Sequence, residues 1–475
     1  MYTFLEKNDK MLIDYLVKEN KIPLLEHILK SPMREGVRAG IGVAFGLISK
    51  ATLFTQEMGI GKTFLAMGLI EGILRMDWSK KVIFCGTNDK LSEYYNLFRE
   101  NLSPEWGIAV TTAGQSDVTQ SFKQLDSDAR ILICTHSVWD KGYEFHKQLI
   151  PRLDQFQCFI LDEGGMLLKN SDNYAYRMMV EFVPKMKYRY ILNATPIEKD
   201  LALLINQCRV LGIPIPSKGR LYAQYGNIGE DEYKWIFGNL KELSEQLKYH
   251  VFNVSRKHVE SAGKINYILD TKLLRVTKFL SEYMREDNVR SVRFPFLYPE
   301  AFTPEIYPSL RTLLKVCTEG VSQGDKLLVY VRNVEPKKYM KWYLEQMGLR
   351  VGIYDGSHTV TKEQKDYVEE MFNQGQYDVL LTNKIYGLSL KTANHVVMYD
   401  LPPNFYQYIY RAIRDLNDKD LKVTPIIYDF ENDYETIKEE LNSERYQNEF
   451  SDRGFDLVNQ IYKQLQHKVR NKLYD

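Results

Sequence analysis

Short apolar runs recur along this chain, and stretches with helical periodicity separate them. Each run holds five to eight residues, rich in β-branched and aromatic types, with polar or turn residues at its ends. Runs of this kind are typical of buried parallel strands, and their alternation with helices indicates α/β domains. The runs are ATLFT (51–55), VIFCG (82–86), ILICT (131–135), CFILDE (158–163) and YRYILNAT (188–195) in the first half, and LLVYV (327–331), VGIYDG (351–356), VLLTN (379–383), VVMYD (396–400) and IIYDF (426–430) in the second. The two sets predict two parallel-sheet α/β domains in tandem.

The stretch between the two sets has a different pattern. Helical periodicity dominates at 234–251 and 270–286, and a turn-rich stretch with Phe294, Pro295 and Pro304 follows. We therefore expect a helical insertion that ends in a connector. The predicted organisation is an N-terminal helical segment (1–30), a first α/β domain (31–214), the insertion and connector (215–305), a second α/β domain (306–435) and a charged helical tail (436–475).

Composition narrows the class of protein only a little. The formal net charge of +1 neither supports nor excludes a nucleic-acid partner, because local charge controls contact with phosphates. No run of about 18 apolar residues indicates a membrane span, and the charged N-terminus lacks a secretory signal, so we expect a cytoplasmic protein. The five cysteines form no C-x-x-C pair that would indicate a zinc site.

A glycine-rich segment directly follows the first apolar run. The segment QEMGIGKT lies between a predicted strand and the helix-like stretch FLAMGLIEGILR, which is the context of a phosphate-binding loop. Backbone N–H groups at the helix start would face the phosphates, Lys62 would reach the β and γ oxygens, and the Thr63 hydroxyl would bind Mg²⁺. The alternative is a surface turn with a chance G-K-T. The predicted ATP-binding residues are Gln56, Glu57, Met58, Gly59, Ile60, Gly61, Lys62 and Thr63.

A pair of acidic residues in LDEGG ends a later apolar run. Asp162 would stand at the carboxyl end of a parallel strand, where open α/β sheets place their ligands. A carboxylate there would hold Mg²⁺, and Glu163 beside it would orient or deprotonate an attacking water. The alternative is a D-E-G-G turn that only closes the strand.

These segments resemble the ATPases of helicase superfamily 2, specifically the Swi/Snf-type branch of chromatin remodellers and their bacterial and viral relatives. That branch typically shows D-E-M-G-L-G-K-T, then D-E-[AG]-H followed by K-N, then L-T-G-T-P-I-Q-N-x-L, so Gln56 takes the place of its first aspartate. Each segment alone is a weak signal, and their common order carries the resemblance. The segments are EMGIGKT (57–63), LDEGG (161–165), LKNS (168–171), LNATPIEKDL (192–201), KLLVYV (326–331), YDGSHT (354–359), LLTNKIYGLSLKTANHVVMYD (380–400) and QYIYRAIRD (407–415).

The resemblance implies two RecA-like domains with ATP and Mg²⁺ in the cleft between them. Asp162 and Glu163 would be the catalytic carboxylates of the first domain. Arg411 and Arg414 lie three residues apart, so on a helix they share a face, and the resemblance makes them, with Gln407, catalytic groups of the second domain. The alternative for the two arginines is an exposed R-x-x-R on a solvated helix.

The resemblance also assigns residues to coupling and to nucleic-acid contact. Thr195, with Ala194 and Gly387, would link the state of the nucleotide to domain movement. Threonine hydroxyls and backbone N–H groups suit phosphate contact without sequence reading, although threonine at a strand end is also common for structural reasons alone. The residues expected at the nucleic-acid backbone are Gly86, Thr87, Thr135, Thr382, Arg256 and Lys257.

Departures from the family pattern include two that concern function. Gly165 stands where the family has a histidine or glutamine that couples hydrolysis to nucleic-acid contact. The upstream glutamine that reads adenine is not evident, and Arg34 sits about where it would be. We therefore expect coupling through other residues and leave the base preference open.

The predicted function is that of an ATP-dependent nucleic-acid motor: a DNA-stimulated ATPase that translocates on double-stranded DNA and remodels protein–DNA complexes or branched DNA. One alternative is a helicase that separates DNA or RNA strands. Another is a non-catalytic scaffold with a degenerate ATPase fold, which Gly165 favours and Lys62 opposes. A kinase or transporter with a phosphate loop would not explain the motifs of the second half. The compact insertion indicates a bacterial or phage-infected cell, with the nucleus as the alternative.

Overall fold

A computed structural model of the chain describes residues 39–57, 59, 61–228, 235–254, 265–276, 293–295, 299–355, 360–383, 388, 390–409, 412, 419–451 and 453–475. The chain divides into two compact units. Met1–Ala262 with Arg445–Gly454 form the first, and Gly263–Glu444 with Phe455–Asp475 form the second. The predicted helical segment 1–30 and Arg34 lie outside the described residues.

The first unit is built on a parallel sheet. Its strands are β1 (Ala51–Gln56), β2 (Lys81–Gly86), β3 (Ile108–Thr111), β4 (Ile131–Thr135), β5 (Phe156–Asp162), β6 (Tyr188–Leu192) and, after the antiparallel pair β7 (Gly226–Ile228) and β8 (Trp235–Phe237), β9 (Val251–Val254). Among the described residues the strand order is β3-β4-β2-β5-β6-β1-β9. Strands β1, β2, β4 and β5 are buried along their whole length, which explains why they read as continuous apolar runs.

Helices cover both faces of this sheet. They are α1 (Ala39–Ser49), α2 (Lys62–Met76), α3 (Leu91–Asn101), α4 (Gln115–Ser127), α5 (His136–Lys141), α6 (Tyr143–Leu149), α7 (Gly165–Leu168), α8 (Tyr174–Phe182), α9 (Ala202–Val210), α10 (Lys218–Tyr225) and α11 (Leu240–Gln246). Alternate strand residues pack on opposite faces: Phe84 lies in the core cluster with α1, α2 and α3, whereas Ile83 and Cys85 lie in the cluster with the later helices.

The predicted helical insertion contains more strand than its periodicity indicated. The stretch 234–251, expected to be helical, holds β8, the short helix α11 and the start of β9. Strand β9 joins the sheet beside β1, with Val251 and Phe252 buried in the two opposite core clusters. A short apolar segment that is buried on both faces carries no periodicity that separates strand from helix, so the sequence prediction was wrong there.

The second unit contains the second parallel sheet. Its strands are β10 (Ile265–Leu269), β11 (Lys272–Leu274), β12 (Leu327–Tyr330), β13 (Val351–Tyr354), β14 (Val379–Thr382), β15 (His395–Met398) and β16 (Lys419–Tyr428). In the described part of the chain the order is β10-β16-β15-β12-β14-β13, and β11 also pairs with β16. The start of the predicted helix 270–286 is therefore strand, and residues 277–286 lie outside the described residues.

The helices of the second unit include those of the C-terminal tail. They are α12 (Pro308–Ser322), α13 (Val334–Gln346), α14 (Lys362–Asn373), α15 (Phe405–Ile409), α16 (Glu431–Ser451) and α17 (Leu457–Arg470), and the residues of α16 from Arg445 onward belong to the first unit. Two parallel sheets in tandem, flanked by helices, confirm the predicted α/β class and the helical tail. None of the helices in the described ranges is long and apolar enough to cross a membrane.

Candidate functional site

The predicted nucleotide residues of the first unit meet at one edge of its sheet. Strands β5, β6 and β1 are neighbours, and all three are parallel. Leu192 at the end of β6 pairs with Phe54 of β1 and with Asp162 of β5. The carboxyl ends of parallel strands lie together, so the phosphate loop, the acidic pair and the N-A-T-P loop all leave the sheet at the same edge.

The loop after β1 contains two glycines with left-handed backbones. Gly59 and Gly61 have φ angles of 78° and 91°, in the left-handed region that favours glycine. Helix α2 begins at Lys62, and its first turn has neither an acidic residue nor a side chain that caps its N–H groups. The Lys62 amine donates to the carbonyls of Gln56 at 3.3 Å and of Glu57 at 3.5 Å. The helix start therefore offers N–H groups and a positive charge to an anion.

The acidic pair is buried and conformationally constrained. Asp162 is only 3% exposed, and Glu163 is also buried. Glu163 has a φ of 54°, a left-handed conformation that costs a residue with a side chain roughly 1–2 kcal/mol. Its N–H donates to the Leu192 carbonyl at 2.9 Å and to Asp162 Oδ1 at 3.1 Å. Such strain is typical of functional sites, so the outlier supports a role for this pair.

Tyr94 on α3 holds the carboxylate of Asp162. Its buried hydroxyl donates to Asp162 Oδ2 at 2.7 Å, and its ring lies edge-on to Phe84 with centroids 4.9 Å apart. A Cβ added at Gly86 would lie 2.3 Å from Tyr94 Cε2, which is too close for any side chain. Gly86 therefore has a structural reason to be glycine, because only glycine admits the tyrosine ring.

His136 contacts Asp162 at its backbone carbonyl rather than at its carboxylate. Its Nε2 lies 2.8 Å from the Asp162 carbonyl oxygen, which can only accept, so Nε2 carries the proton. Burial lowers the pKa of His136 to about 4, so the ring is neutral at pH 7. Neither Tyr94 nor His136 has a sequence signal, since each lies on a helix and reaches Asp162 only through the folded chain.

Charge at this edge favours a cation. Burial raises the pKa of Asp162 above its ordinary value, and the Glu163 carboxylate raises it further, whereas Lys90 and Lys62 lower it. The effect of Lys62 on Asp162 indicates that the phosphate loop and the acidic pair influence each other electrostatically. A cation beside the two carboxylates would offset both the burial and the repulsion.

Asn193 occupies the space next to Gly165. A Cβ added at Gly165 would lie 3.1 Å from Asn193 Nδ2. The amide of Asn193 accepts from the Thr195 N–H at 3.2 Å and donates to Gln207 Oε1 at 2.7 Å. Gln207 in turn donates to the Pro196 carbonyl at 3.0 Å. A polar network thus orders the N-A-T-P loop directly beside Gly165, where a side chain at that position would lie.

Two family models match the chain. The SNF2-related domain model matches residues 15–251, and the model of the helicase conserved C-terminal domain matches residues 308–415. The chain belongs to the SNF2-related ATPases of helicase superfamily 2. Its two matched domains are those of helicase-type ATP hydrolases.

Relatives of this SNF2-related ATPase are named as helicases. The ATP-dependent RNA helicase RhlB of Shewanella frigidimarina is 31% identical over 117 residues, which are 24% of this chain and 26% of that protein. A putative ATP-dependent RNA helicase of Methanocaldococcus jannaschii is 19% identical over 81% of this chain and 57% of its own length. The uncharacterized ATP-dependent helicase YqhH of Bacillus subtilis is 21% identical over 74% of this chain and 67% of its own length. The chain thus spans from about a quarter to two thirds of these relatives.

Two solved structures are also similar to this SNF2-related ATPase. The helicase domain of Hef from Pyrococcus furiosus has a TM-score of 0.49 at 14% identity, covering 84% of this chain and 96% of that one. The SWI2/SNF2 ATPase core of Sulfolobus solfataricus in complex with dsDNA has a TM-score of 0.40 at 14% identity, covering 89% and 93%.

In this SNF2-related ATPase, those predicted nucleic-acid contacts that lie within the described residues are buried. Thr87 and Thr135 lie at the carboxyl ends of β2 and β4, and the Thr135 hydroxyl lies 2.9 Å from that of Ser137. Thr382 ends β14 in the second unit, and Gln407 lies on α15; both are buried. Their assigned roles stay predictions. The predicted site residues outside the described residues are Met58, Ile60, Arg256, Lys257, Gly387, Arg411 and Arg414.

A buried lysine in the second unit joins two motif loops, and the sequence analysis did not predict it. The Lys337 side chain on α13 is 0% exposed, its amine donates to Asn383 Oδ1 at 2.9 Å, and it lies 3.6 Å from Asp355 Oδ1. Asp355 begins the D-G-S segment and Asn383 follows β14. Burial lowers the pKa of Lys337 to about 8.

The Tyr94→Phe variant tests the hydrogen bond to Asp162. We expect the fold to persist and the ATPase kcat to fall roughly tenfold or more, because a buried hydrogen bond to a carboxylate contributes about 1.5–3 kcal/mol. Steady-state ATPase kinetics would measure the effect. Tyr95→Phe, the same change at the next and less buried residue, is the matched control. A Tyr94→Phe enzyme as active as the control would show that Tyr94 only packs.

The low pKa of Lys337 predicts a dependence of stability on pH. In the unfolded chain lysine titrates near 10.5, and in the folded chain Lys337 titrates at about 8. Between these values the unfolded state binds more protons, so the free energy of unfolding contributed by this group rises with pH. We expect the difference in unfolding free energy between wild type and Lys337→Met to move in favour of wild type from pH 8 to 10.5. The exposed Lys338→Met variant should show no such trend, and equal trends in both variants would contradict the assignment.

Proposed function

We propose that the chain is a DNA-stimulated ATPase that translocates on duplex DNA and remodels protein–DNA complexes or branched DNA. The observation that supports this most directly is the buried Asp162–Glu163 pair at the sheet edge where Lys62 begins its helix. The match to the SNF2-related domain supports a motor on nucleic acid, and the Swi/Snf-type motifs favour duplex DNA.

The residues at this edge fit a nucleotide with its magnesium ion. The uncapped start of α2 and the two left-handed glycines suit phosphate oxygens, and the carboxylate of Asp162 with the hydroxyl of Thr63 suits a hard cation. Bound there, Mg²⁺ would neutralise charge that develops on the β and γ oxygens. Lys62 would bind the same oxygens and leave the carbonyls of Gln56 and Glu57.

Hydrolysis would then depend on groups from both parts of the chain. Glu163 would orient the attacking water and accept its proton, while Tyr94 and His136 keep Asp162 in place. From the second unit, Arg411 and Arg414 would stabilise the transition-state charge, a contribution worth about 10³–10⁵ in rate for an arginine finger. Gln407 precedes them on the same segment and would act with them.

The signal from the nucleotide would pass through the network around Asn193. Its amide contacts the Thr195 N–H, and Thr195 with Ala194 forms the loop that the family uses for coupling. In this chain Asn193 and Gln207 would do the work of the side chain that Gly165 lacks, together with Gly387. The motor would hold the nucleic-acid backbone at Gly86, Thr87, Thr135, Thr382, Arg256 and Lys257 through phosphate contacts that carry no sequence information.

A strand-separating helicase is the second candidate. The observation that favours it is the naming of two relatives as RNA helicases, one of them similar over 81% of this chain. A scaffold with a degenerate ATPase fold is less consistent with the buried and hydrogen-bonded Asp162 and Glu163.

The ATPase rate of wild type, Lys62→Ala and the exposed control Lys123→Ala, measured with duplex DNA, single-stranded DNA and RNA, tests the proposal. We expect wild type and Lys123→Ala to be stimulated most by duplex DNA. Lys62→Ala should lose at least about a hundredfold in rate, because a preorganised positive group at the transferring phosphate is removed. Unchanged turnover in Lys62→Ala would refute the phosphate-loop assignment, and stimulation by RNA alone would refute the duplex-DNA substrate.

A strand-displacement assay separates the two candidates. On blunt DNA, forked DNA and RNA duplexes with ATP, we expect little strand separation. The third strand of a DNA triplex, whose release reports movement along the duplex, should be displaced. Efficient unwinding of either duplex type without triplex displacement would favour the strand-separating helicase.

A further inference from the structure

A segment from near the C-terminus reaches the nucleotide edge of the first unit. The guanidinium of Arg453 donates hydrogen bonds to the carbonyls of Thr55 and Ala194. The side-chain amide of Gln447, six residues earlier, donates to the carbonyl of Ile197. Arg453 is only 5% exposed, and Gln447 is also buried. Both belong to the segment Arg445–Gly454, which lies in the first unit.

The three carbonyls lie at the end of β1 and in the loop after β6, beside the predicted ATPase residues of this unit. Thr55 directly precedes Gln56, whose carbonyl accepts from Lys62. Ala194 directly precedes Thr195, and Ile197 closes the N-A-T-P turn. These residues lie at or beyond the carboxyl ends of β1 and β6. A buried carbonyl there depends on a donor from another part of the chain.

The core holds the C-terminal segment in position. Tyr446 and Phe450 are buried in the core cluster that includes Leu161, Ile191 and the later helices of the unit. The Tyr446 hydroxyl accepts from the Phe237 N–H at 3.2 Å, and Arg445 donates to the Phe237 carbonyl at 2.8 Å. Arg453 thus extends from a segment that is packed into the core. This packing determines the position of Arg453 at the two loops.

The choice of arginine has a chemical reason. A guanidinium presents several N–H donors in a rigid plane and keeps its charge when buried, so a single side chain can bridge two carbonyls from different strands. A lysine amine would reach the same region with one point charge but without the fixed geometry. Bridging fixes the separation between the end of β1 and the N-A-T-P loop.

We infer that Arg453 is a positioning residue of the ATPase, which holds the phosphate loop and the N-A-T-P loop in register from the C-terminal segment. The inference rests on the proposed function for its effect on hydrolysis. Its structural part, the ordering of two loops by one distant side chain, concerns the chain alone. Gln447 supports the same loop from the same segment with a neutral donor.

Full-length Arg453→Met, Arg453→Lys and Gln447→Leu variants test this, with the exposed Arg470→Met as the matched control. ATPase kcat and KM for ATP would be measured together with hydrogen–deuterium exchange of the peptides that contain residues 56–63 and 192–201. We expect Arg453→Met to lower kcat at least tenfold with a smaller change in KM, and to speed exchange in both peptides. Arg453→Lys should be intermediate, and Gln447→Leu should affect mainly the second peptide.

The outcomes separate this inference from the proposed function. Arg453→Met with kcat and exchange equal to those of Arg470→Met would overturn the inference, whatever the substrate of the motor. If wild type hydrolyses no ATP, the proposed function fails, and faster exchange confined to the two loops still supports the positioning role. Should Arg453→Met fail to fold, Arg453→Lys and Gln447→Leu decide: wild-type kcat and exchange in both would overturn the inference.

Discussion

A carboxylate buried at the end of a central strand is the constraint on which the site depends. Removing Asp162 from water is unfavourable unless hydrogen bonds or charges compensate. The hydroxyl of Tyr94 and the N–H of Glu163 contact its carboxylate, and His136 contacts its carbonyl. These contacts require particular features elsewhere in the chain. Gly86 must lack a side chain to admit Tyr94, and Glu163 must adopt a left-handed backbone.

The departure from the family pattern at Gly165 has a local structural context. Gly165 leaves a space beside the acidic pair, and the amide of Asn193 lies next to it. Asn193 is hydrogen-bonded to Thr195 and to Gln207, and the Glu163 N–H donates to the Leu192 carbonyl, so the acidic pair stays linked to the strand that precedes the N-A-T-P loop. The missing side chain therefore does not by itself indicate a degenerate site, because the acidic pair keeps its backbone hydrogen bond to the adjacent strand.

Support for the loops comes from parts of the chain that carry no motif. Arg453 and Gln447 donate to carbonyls of the N-A-T-P loop, and Arg453 also donates to the residue before the phosphate loop. In the second unit Lys337 performs a comparable task between Asp355 and Asn383. In both units a buried cationic side chain contacts loops whose own side chains are short or absent. Such residues carry no motif, yet they contact the segments that do.

The sequence by itself determined the class of fold, the strand–turn–helix context of the G-K-T segment and the position of the acidic pair at the end of a strand. Parallel strands buried on both faces must be apolar throughout, so ten of them were visible as runs, and G-K-T after a strand has a local meaning. Edge strands such as β3, with one half-buried face, and β9, inside an apparent helix, were not visible. Tertiary structure alone decided which side chains complete the site. Tyr94 lies 68 residues from Asp162, and Arg453 lies 398 residues from Thr55, and contacts at such separations leave no periodicity or spacing in the sequence.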